Sequence, residues 1–273
     1  MVAQKNLPAE LDDIILDHLH DDRDTLTKCA FVRRSWLPTI RYHKWRDLRI
    51  TCDEKELHEL ENVFEASPEV VHFVRSVTLI HQEGGPHRWC DLQVLHLALS
   101  IISHLPIVSS LILDGLWFGD ASRTTKPERD TVLPIIQHLT VRSCTFDSFD
   151  MHLISRAFPS LSTLHFDGVW WGRWESGNAP STQAGRPFPP PPTLKELYLG
   201  SCYSRNKIIE WLLDESASSS IETLRLPLVG AHDTRLGDLL AFLGPSLQHL
   251  ELGCPSITTT VAHGEQQRVV PSK

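Results

Sequence analysis

The sequence predicts an α/β protein in which three short N-terminal helices precede a curved solenoid of strand–loop–helix units with a parallel sheet. Two observations support this prediction. Residues 5–46 combine helical spacing of apolar side chains with Asp and Pro at helix starts. Along residues 47–257 a short apolar phrase with strand-like alternation recurs at intervals that suit a stacked repeat. Residues 258–273 are assigned to a polar tail.

The first predicted helix carries more apolar surface than one packing partner needs. Pro8 suits the first turn of a helix, and Glu10, Asp12 and Asp13 place negative charge near the positive end of the helix dipole. At about 100° per residue the aliphatic side chains cover an arc of about 200°, whereas packing on one neighbour needs about 100°. The excess predicts two neighbours for this helix: the protein's own helices and something else. The aliphatic residues are Leu11, Ile14, Ile15, Leu16 and Leu19.

Two more helices are expected before residue 46. Asp22 is placed to cap the second helix, and Ser35 is expected to cap the third, with Pro38 in its first turn. A run of basic residues accompanies the third helix. Nucleic-acid binding is one interpretation of this run, but a solvated helix end that faces an acidic first helix is favoured. The basic residues are Arg33, Arg34, Arg41, Lys44, Arg46 and Arg49.

The three helices together resemble an F-box, particularly the F-boxes of fungal proteins. The matching motifs are Leu7-Pro8-x-Glu10-Leu11, Ile14-Ile15-x-x-x-Leu19 and Cys29-Ala30-x-Val32-x-x-Ser35-Trp36. Arg33 departs from the pattern, since many relatives carry Cys there, and this departure concerns the fine packing. The resemblance implies docking on the Skp-type adaptor of an SCF ubiquitin ligase, and through it on cullin. The adaptor-binding residues would be Leu7, Pro8, Leu11, Ile14, Ile15, Val32 and Trp36.

An alternative is that some of these residues only hold the three helices together. For Trp36 this alternative carries equal weight, whereas for Leu7 and Pro8 a contact with the adaptor is favoured.

The rest of the chain repeats the phrase apolar-x-x-apolar-x-apolar. Its seven copies begin at Val74, Val108, Ile136, Leu161, Leu194, Ile221 and Leu247, with separations of 34, 28, 25, 33, 27 and 26 residues. This phrase and spacing resemble leucine-rich repeats, which run about 20–29 residues and end in Asn or Cys. Cys144 and Cys202 occupy that last position, and Cys254 comes one residue early. We expect these cysteines to turn inward and pack, rather than to bind a metal.

Helices are expected between the strands, over 91–105, 148–158, 206–214 and 236–243. Residues 47–50, followed by a helix over about 53–66, are expected to form a degenerate first unit docked on the helical region.

Two groups of residues are candidates for binding a target protein. Alternate strand residues point out of the core, and the default target site is the outward set Thr140, His165, Tyr198, Arg225 and Glu251. The insertion at 168–193 adds Trp170, Trp171 and Trp174, a composition typical of binding hot spots. The alternative is that these tryptophans cover the open end of the sheet.

Composition and motifs argue against several other classes of protein. A net charge of −8 and a pI near 6.0 disfavour nucleic acid as partner. The longest apolar stretch, 92–118, is interrupted by polar residues, so we expect no membrane span. No nucleophile-elbow, P-loop or dinucleotide-binding motif occurs, and we expect no catalysis, cofactor or metal. Scattered cysteines and no signal peptide suggest the cytosol or nucleus.

The resemblance to an F-box, followed by the repeats, implies a substrate-recognition adaptor of an SCF-type ubiquitin ligase. The N-terminal helices would dock on the Skp adaptor, and the repeats would hold a target. The alternative is a non-catalytic interaction scaffold that acts without cullin.

Overall fold

The computed structural model describes residues 8–81, 92–116, 132–146, 156–171, 191–203, 205–213, 220–230 and 233–253. The helices are α1 Ala9–His18, α2 Arg23–Cys29, α3 Leu37–Arg46, α4 Glu54–Ala66, α5 Leu92–Ser103, α6 Arg205–Leu212 and α7 Leu236–Leu243. Short 3-10 turns occupy Arg34–Trp36 and Pro68–His72. The strands are β1 Asp47–Thr51, β2 Ser76–Ile80, β3 Ser110–Asp114, β4 His138–Arg142, β5 Thr145–Phe146, β6 Thr163–Asp167, β7 Trp170–Trp171, β8 Glu196–Leu199, β9 Thr223–Leu226 and β10 His249–Leu252.

Eight of these strands form one sheet in the order β1-β2-β3-β4-β6-β8-β9-β10, and every neighbouring pair is parallel. Each strand therefore pairs with the next long strand along the chain. The two short strands β5 and β7 form a separate parallel pair. The predicted α/β class is confirmed, and the arrangement of strands and short helices is consistent with a leucine-rich-repeat-like protein.

The repeated phrase sets the register of the sheet. Its second apolar residue forms one continuous row, in which Leu139 pairs with Leu164 and Leu164 with Leu197. In the six copies from Val74 to Leu226 the three apolar residues of each phrase are at most 5% exposed. The last copy differs, because Leu250 and Leu252 in β10 are 41% and 48% exposed. The core thus lies on one side of the sheet, among the inward strand residues and the helices α4 to α7.

The turns after three strands share one backbone conformation. Gly115 and Gly168 adopt φ of +67° and +63°, and Ser143 occupies the matching place with φ of +50°. The next residue in each turn is buried: Leu116, Cys144 and Val169 are at most 1% exposed. A left-handed residue therefore turns the chain so that its successor points into the core.

The cysteines at the end of the phrase pack as expected. The Cys144 thiol lies 3.5 Å from the carbonyl of Leu113, and the Cys202 thiol lies 3.7 Å from that of Phe166. Each thiol thus reaches the strand before its own.

The helical expectations are largely confirmed. The predicted segments near 53–66, 91–105, 206–214 and 236–243 appear as α4, α5, α6 and α7. The segment expected over 148–158 lies mostly outside the described residues, as do Cys254 and the tail. Among the residues that the structure describes, no helix is both long enough and apolar enough to cross a lipid bilayer.

The three N-terminal helices enclose their own small core of Leu16, Leu26 and Ile40. Asp22 caps α2 as predicted, accepting the Thr25 N–H at 2.9 Å. The expected cap at Ser35 is wrong. The chain makes a 3-10 turn there, so Trp36 precedes the first residue of α3 and no side chain caps that helix.

The helical region is joined directly to the sheet, because α3 ends at Arg46 and β1 begins at Asp47. The Arg23 guanidinium donates to the Asp47 carbonyl at 2.7 Å. The rings of Trp45 and Phe64, on α3 and α4, lie 6.3 Å apart. The expected first unit is therefore present as β1 and α4, and its strand directly continues the third helix.

Candidate functional site

The outer face of α1 is an exposed row of aliphatic side chains, here called the aliphatic stripe: Leu11, Ile14 and Ile15. They are 44%, 51% and 42% exposed, whereas Leu16 on the opposite side of the same helix is fully buried. At about 100° per residue the three span about 100° of the helix surface, which matches the width that one packing partner covers. The helix thus uses part of its apolar arc for the internal core and leaves the rest in solvent.

Arg33 and Asp12 meet at the border of the aliphatic stripe. The Arg33 Nη1 donates to Asp12 Oδ2 at 2.6 Å, and the Asp12 side chain is only 7% exposed. The positive charge of Arg33 is therefore matched by a carboxylate on α1.

The polar side of α1 faces α3. Thr39 donates to Asp13 at 2.9 Å, and the His43 ring nitrogen lies 2.8 Å from Asp17. These contacts support the interpretation of the third helix as one that faces an acidic first helix.

The other predicted adaptor-binding residues have different surroundings. Pro8 is exposed, and Val32 is 68% exposed. Trp36 is half-buried and packs against the helical core, so part of its role is to hold the three helices together. Leu7 lies outside the described residues.

Phe31 is an exposed aromatic residue that the F-box-like motifs do not include. It is 87% exposed and lies beside Val32 in the turn after α2. Its exposure could have been predicted from its position, because α2 ends at Cys29 and helical spacing no longer implies burial beyond that residue. Five apolar side chains, three on α1 and two in the turn after α2, are thus left in solvent.

The outward residues predicted from the repeat form one continuous row across five strands, here called the outer row. Its members are Thr140, His165, Tyr198, Arg225 and Glu251. Each is the register partner of the next, because all occupy the same place in the repeated phrase. The parallel sheet therefore brings together residues that lie more than 100 positions apart in the sequence.

His165 and Tyr198 form an aromatic pair in the outer row, with ring centroids 3.8 Å apart and planes tilted by 51°. Burial lowers the pKa of His165 below its ordinary value, so the imidazole is neutral at pH 7. Burial, followed by the charges of Asp167 and Glu251, raises the pKa of the Tyr198 hydroxyl. Both rings are therefore uncharged, half-buried and on the outward face.

Arg225 is surrounded by carboxylates. Its guanidinium lies 3.2 Å from Glu196 and 3.7 Å from Glu251, which flank it on the neighbouring strands. The positive charge of the outer row is thus already matched by the protein itself.

The tryptophans of the 168–193 segment are described only in part. Trp170 is 47% exposed, and its ring lies 6.1 Å from that of Tyr203, which is 82% exposed. Trp170 and Trp171 form β7, while Trp174 lies outside the described residues. Tyr203 was not predicted; it directly follows Cys202, at the end of the phrase.

The described residues include no group of three or more His, Cys, Asp and Glu side chains able to hold a metal ion. Burial raises the pKa of the Cys202 thiol to about 11, so this cysteine is protonated and unreactive at neutral pH. The two candidate surfaces consist of apolar, aromatic and charged side chains suited to contact with proteins.

Comparisons with protein-family models, with curated proteins and with solved structures find no match to this chain.

Proposed function

We propose that this chain is a substrate-recognition adaptor of an SCF-type ubiquitin ligase, working in the cytosol or nucleus. The helices over 5–46 dock on a Skp-type adaptor protein, and the outward face of the sheet holds a target protein. Ubiquitin transfer itself is performed by other subunits. The contribution of this chain is proximity, since it raises the local concentration of target lysines near the loaded conjugating enzyme.

The observation that carries the proposal is the aliphatic stripe of Leu11, Ile14 and Ile15 on α1. Each of these side chains leaves about half of its surface in water, and covering that half contributes roughly 1 kcal/mol of binding free energy per residue. Phe31 and Val32 add further apolar surface. A partner with a complementary apolar groove would gain several kcal/mol from these side chains together.

The junction between α3 and β1 supports a role as adaptor. Arg75 donates its backbone N–H to the Arg46 carbonyl at 2.9 Å, and Arg41 lies 3.5 Å from Glu69. Because no linker separates the helices from the sheet, a target on the outer row would be held at a fixed distance from the docked adaptor.

The test is co-purification of the full chain with a Skp-type adaptor. An Ile14→Asp, Ile15→Asp double variant introduces two charges into the stripe and should lose most of the bound adaptor, by 30-fold or more as an order-of-magnitude estimate. The matched control is Val63→Asp, Leu228→Asp, which changes two aliphatic residues of 39% and 42% exposure outside the N-terminal helices. Circular dichroism must show that both variants fold.

Equal recovery of adaptor with the stripe variant and the control would reject the stripe as the docking face. Probing the same eluates for cullin separates the two functions considered. Cullin in the complex supports a ligase adaptor, whereas adaptor without cullin supports an interaction scaffold.

A further inference from the structure

The outward face of β6 to β10 has an excess of negative charge. Its charged side chains are Asp167, Glu196, Glu251 and Arg225. Arg225 is already paired with Glu196 and Glu251. Asp167 accepts the Ser201 N–H at 3.1 Å, and among the described residues no cationic nitrogen lies within salt-bridge distance of it. This carboxylate is therefore the one on the face whose charge is least matched.

Asp167 lies beside the ring of Tyr198. Asp167 Oδ1 and Tyr198 Cε1 are 2.5 Å and 2.9 Å from the point where a Cβ on Gly200 would stand. Gly200 thus leaves room for a carboxylate and an aromatic ring to approach each other above the backbone. The charge of Asp167 also acts on the hydroxyl of Tyr198 and on the imidazole of His165.

A carboxylate next to an aromatic ring is an arrangement that attracts organic cations. The carboxylate supplies charge and hydrogen-bond acceptors, and the ring attracts a guanidinium or ammonium through its quadrupole. The aromatic partner His165 is neutral at pH 7 and so does not repel a cation.

We propose that the outward face between β6 and β10 binds a basic segment of the target protein, with an arginine or lysine side chain seated at Tyr198 beside Asp167. This inference rests on the proposed function, because it names the chemistry of the target that the sheet would hold. Charge complementarity favours this occupant, because the face carries three carboxylates and a single arginine. That arginine is already paired with two of the carboxylates, so the face as a whole is negatively charged. The chain as a whole has a net charge of −8, which also favours the approach of a basic partner.

Arg142 is the opposing charge to consider, because it is the register partner of Asp167 on β4. It lies on the β4 side of Asp167, whereas Tyr198 lies on the β8 side. An acidic segment would have to bind close to Asp167, Glu196 and Glu251, and it is therefore disfavoured on the β8 side.

The experiment measures fluorescence anisotropy of three labelled peptides with the full-length chain. The first peptide alternates Gly-Ser with Arg; the second and third replace every Arg by Gln or by Glu. We expect saturable binding of the Arg peptide below about 1 mM, and binding of the Gln and Glu peptides weaker by at least about tenfold. The affinity for the Arg peptide should fall as salt concentration rises.

Three variants locate the binding site. Tyr198→Ala should weaken binding of the Arg peptide by about 3- to 30-fold, while Tyr198→Phe keeps the ring and should retain affinity. Asp167→Asn keeps an oxygen for the Ser201 N–H but removes the charge, and should weaken binding by about threefold or more. The control Glu59→Gln removes one charge from α4, which packs on the core side of the sheet, and should change affinity less than twofold.

Failure of the Arg peptide to bind below about 1 mM would overturn the inference, as would equal affinity for the Gln peptide. Binding that is insensitive to both Tyr198→Ala and Asp167→Asn would also overturn it. The proposed function is tested separately, because none of these variants lies in the N-terminal helices. Loss of peptide binding with normal capture of the Skp-type adaptor rejects only the basic target.

Discussion

Arg33 and Asp12 form an ion pair of 2.6 Å between the turn after α2 and the border of the aliphatic stripe on α1. Asp12 is 5% exposed, and its second carboxylate oxygen is buried with no hydrogen-bond partner among the described residues. One of its two oxygens therefore depends on the Arg33 guanidinium for its stabilisation. The pair ties the turn that carries Phe31 and Val32 to the helix that carries the stripe.

Removal of Arg33 alone should destabilise the protein more than removal of the whole pair. Arg33→Ala leaves a buried carboxylate without its cation and is expected to cost about 1–3 kcal/mol, whereas Asp12→Ala, Arg33→Ala removes the unpaired charge as well. Urea unfolding followed by circular dichroism measures both variants. A double variant that is less stable than Arg33→Ala would contradict this prediction.

Equivalent leucines of two repeats should differ in their contribution to stability. Leu164 and Leu250 are the second apolar residue of their phrases, but Leu164 is fully buried and Leu250 is 41% exposed. We expect Leu164→Ala to cost about 2–5 kcal/mol through lost contacts and a cavity, and Leu250→Ala less than about 1.5 kcal/mol. The same urea titrations provide the comparison, and equal losses would contradict the difference in burial between the two leucines.

The sheet could be predicted from the sequence because each strand carries its own pattern. Alternation places Leu197 and Leu199 inward and Tyr198 outward whatever the neighbouring strands are. The repeated spacing then implies that equivalent residues align, which is how the outer row was assigned.

Local pattern does not determine how a turn is closed or what a surface position touches. Ser35 has the composition of a helix cap, yet the 3-10 turn at Arg34–Trp36 leaves it outside that role. Arg205 begins an amphipathic helix, where a charged residue is usually exposed, but it is only 7% exposed because Asp233 from a later repeat reaches it. Such pairings depend on chain segments 28 residues apart and leave no periodic signal.

The buried ion pair of Arg205 and Asp233 should matter more than a comparable surface pair. Arg205 also donates to the Gly200 carbonyl at 2.7 Å, and Asp233 accepts the Gly230 N–H at 2.8 Å, so the pair joins two loops that follow strands. Asp233→Ala leaves a buried guanidinium and is expected to cost about 3–5 kcal/mol.

The matched surface pair is Arg235 with Glu210, which are 3.3 Å apart and have side chains 41% and 54% exposed. Glu210→Ala should cost at most about 1 kcal/mol. Thermal or urea unfolding of both variants measures how much unfolding free energy each one loses. Similar losses in the two variants would mean that the buried pair of Arg205 and Asp233 contributes no more to stability than the surface pair.

The protonation of Cys202 predicts a loss of stability in alkaline solution. Burial raises the pKa of this thiol from 9.0 to about 11 in the folded chain. The folded state therefore holds the proton more tightly than the unfolded state. The resulting stabilisation is fully present below pH 9 and is lost as pH rises through 9 towards 11. Its size is about 1–3 kcal/mol.

Cys202→Ala isolates this effect from other alkaline titrations, including that of Tyr198, whose pKa is also raised. The free energy of unfolding should fall between pH 8.5 and 10.5 by about 1–2 kcal/mol more in the unmodified chain than in Cys202→Ala. Alkylation by iodoacetamide gives an independent measurement. The rate of alkylation of Cys202 should rise with pH with a midpoint near 11, because only the thiolate reacts and the thiol is protonated at neutral pH. Rapid alkylation of Cys202 at pH 8 in the folded chain would contradict the buried environment, because only a solvated thiolate reacts at that rate.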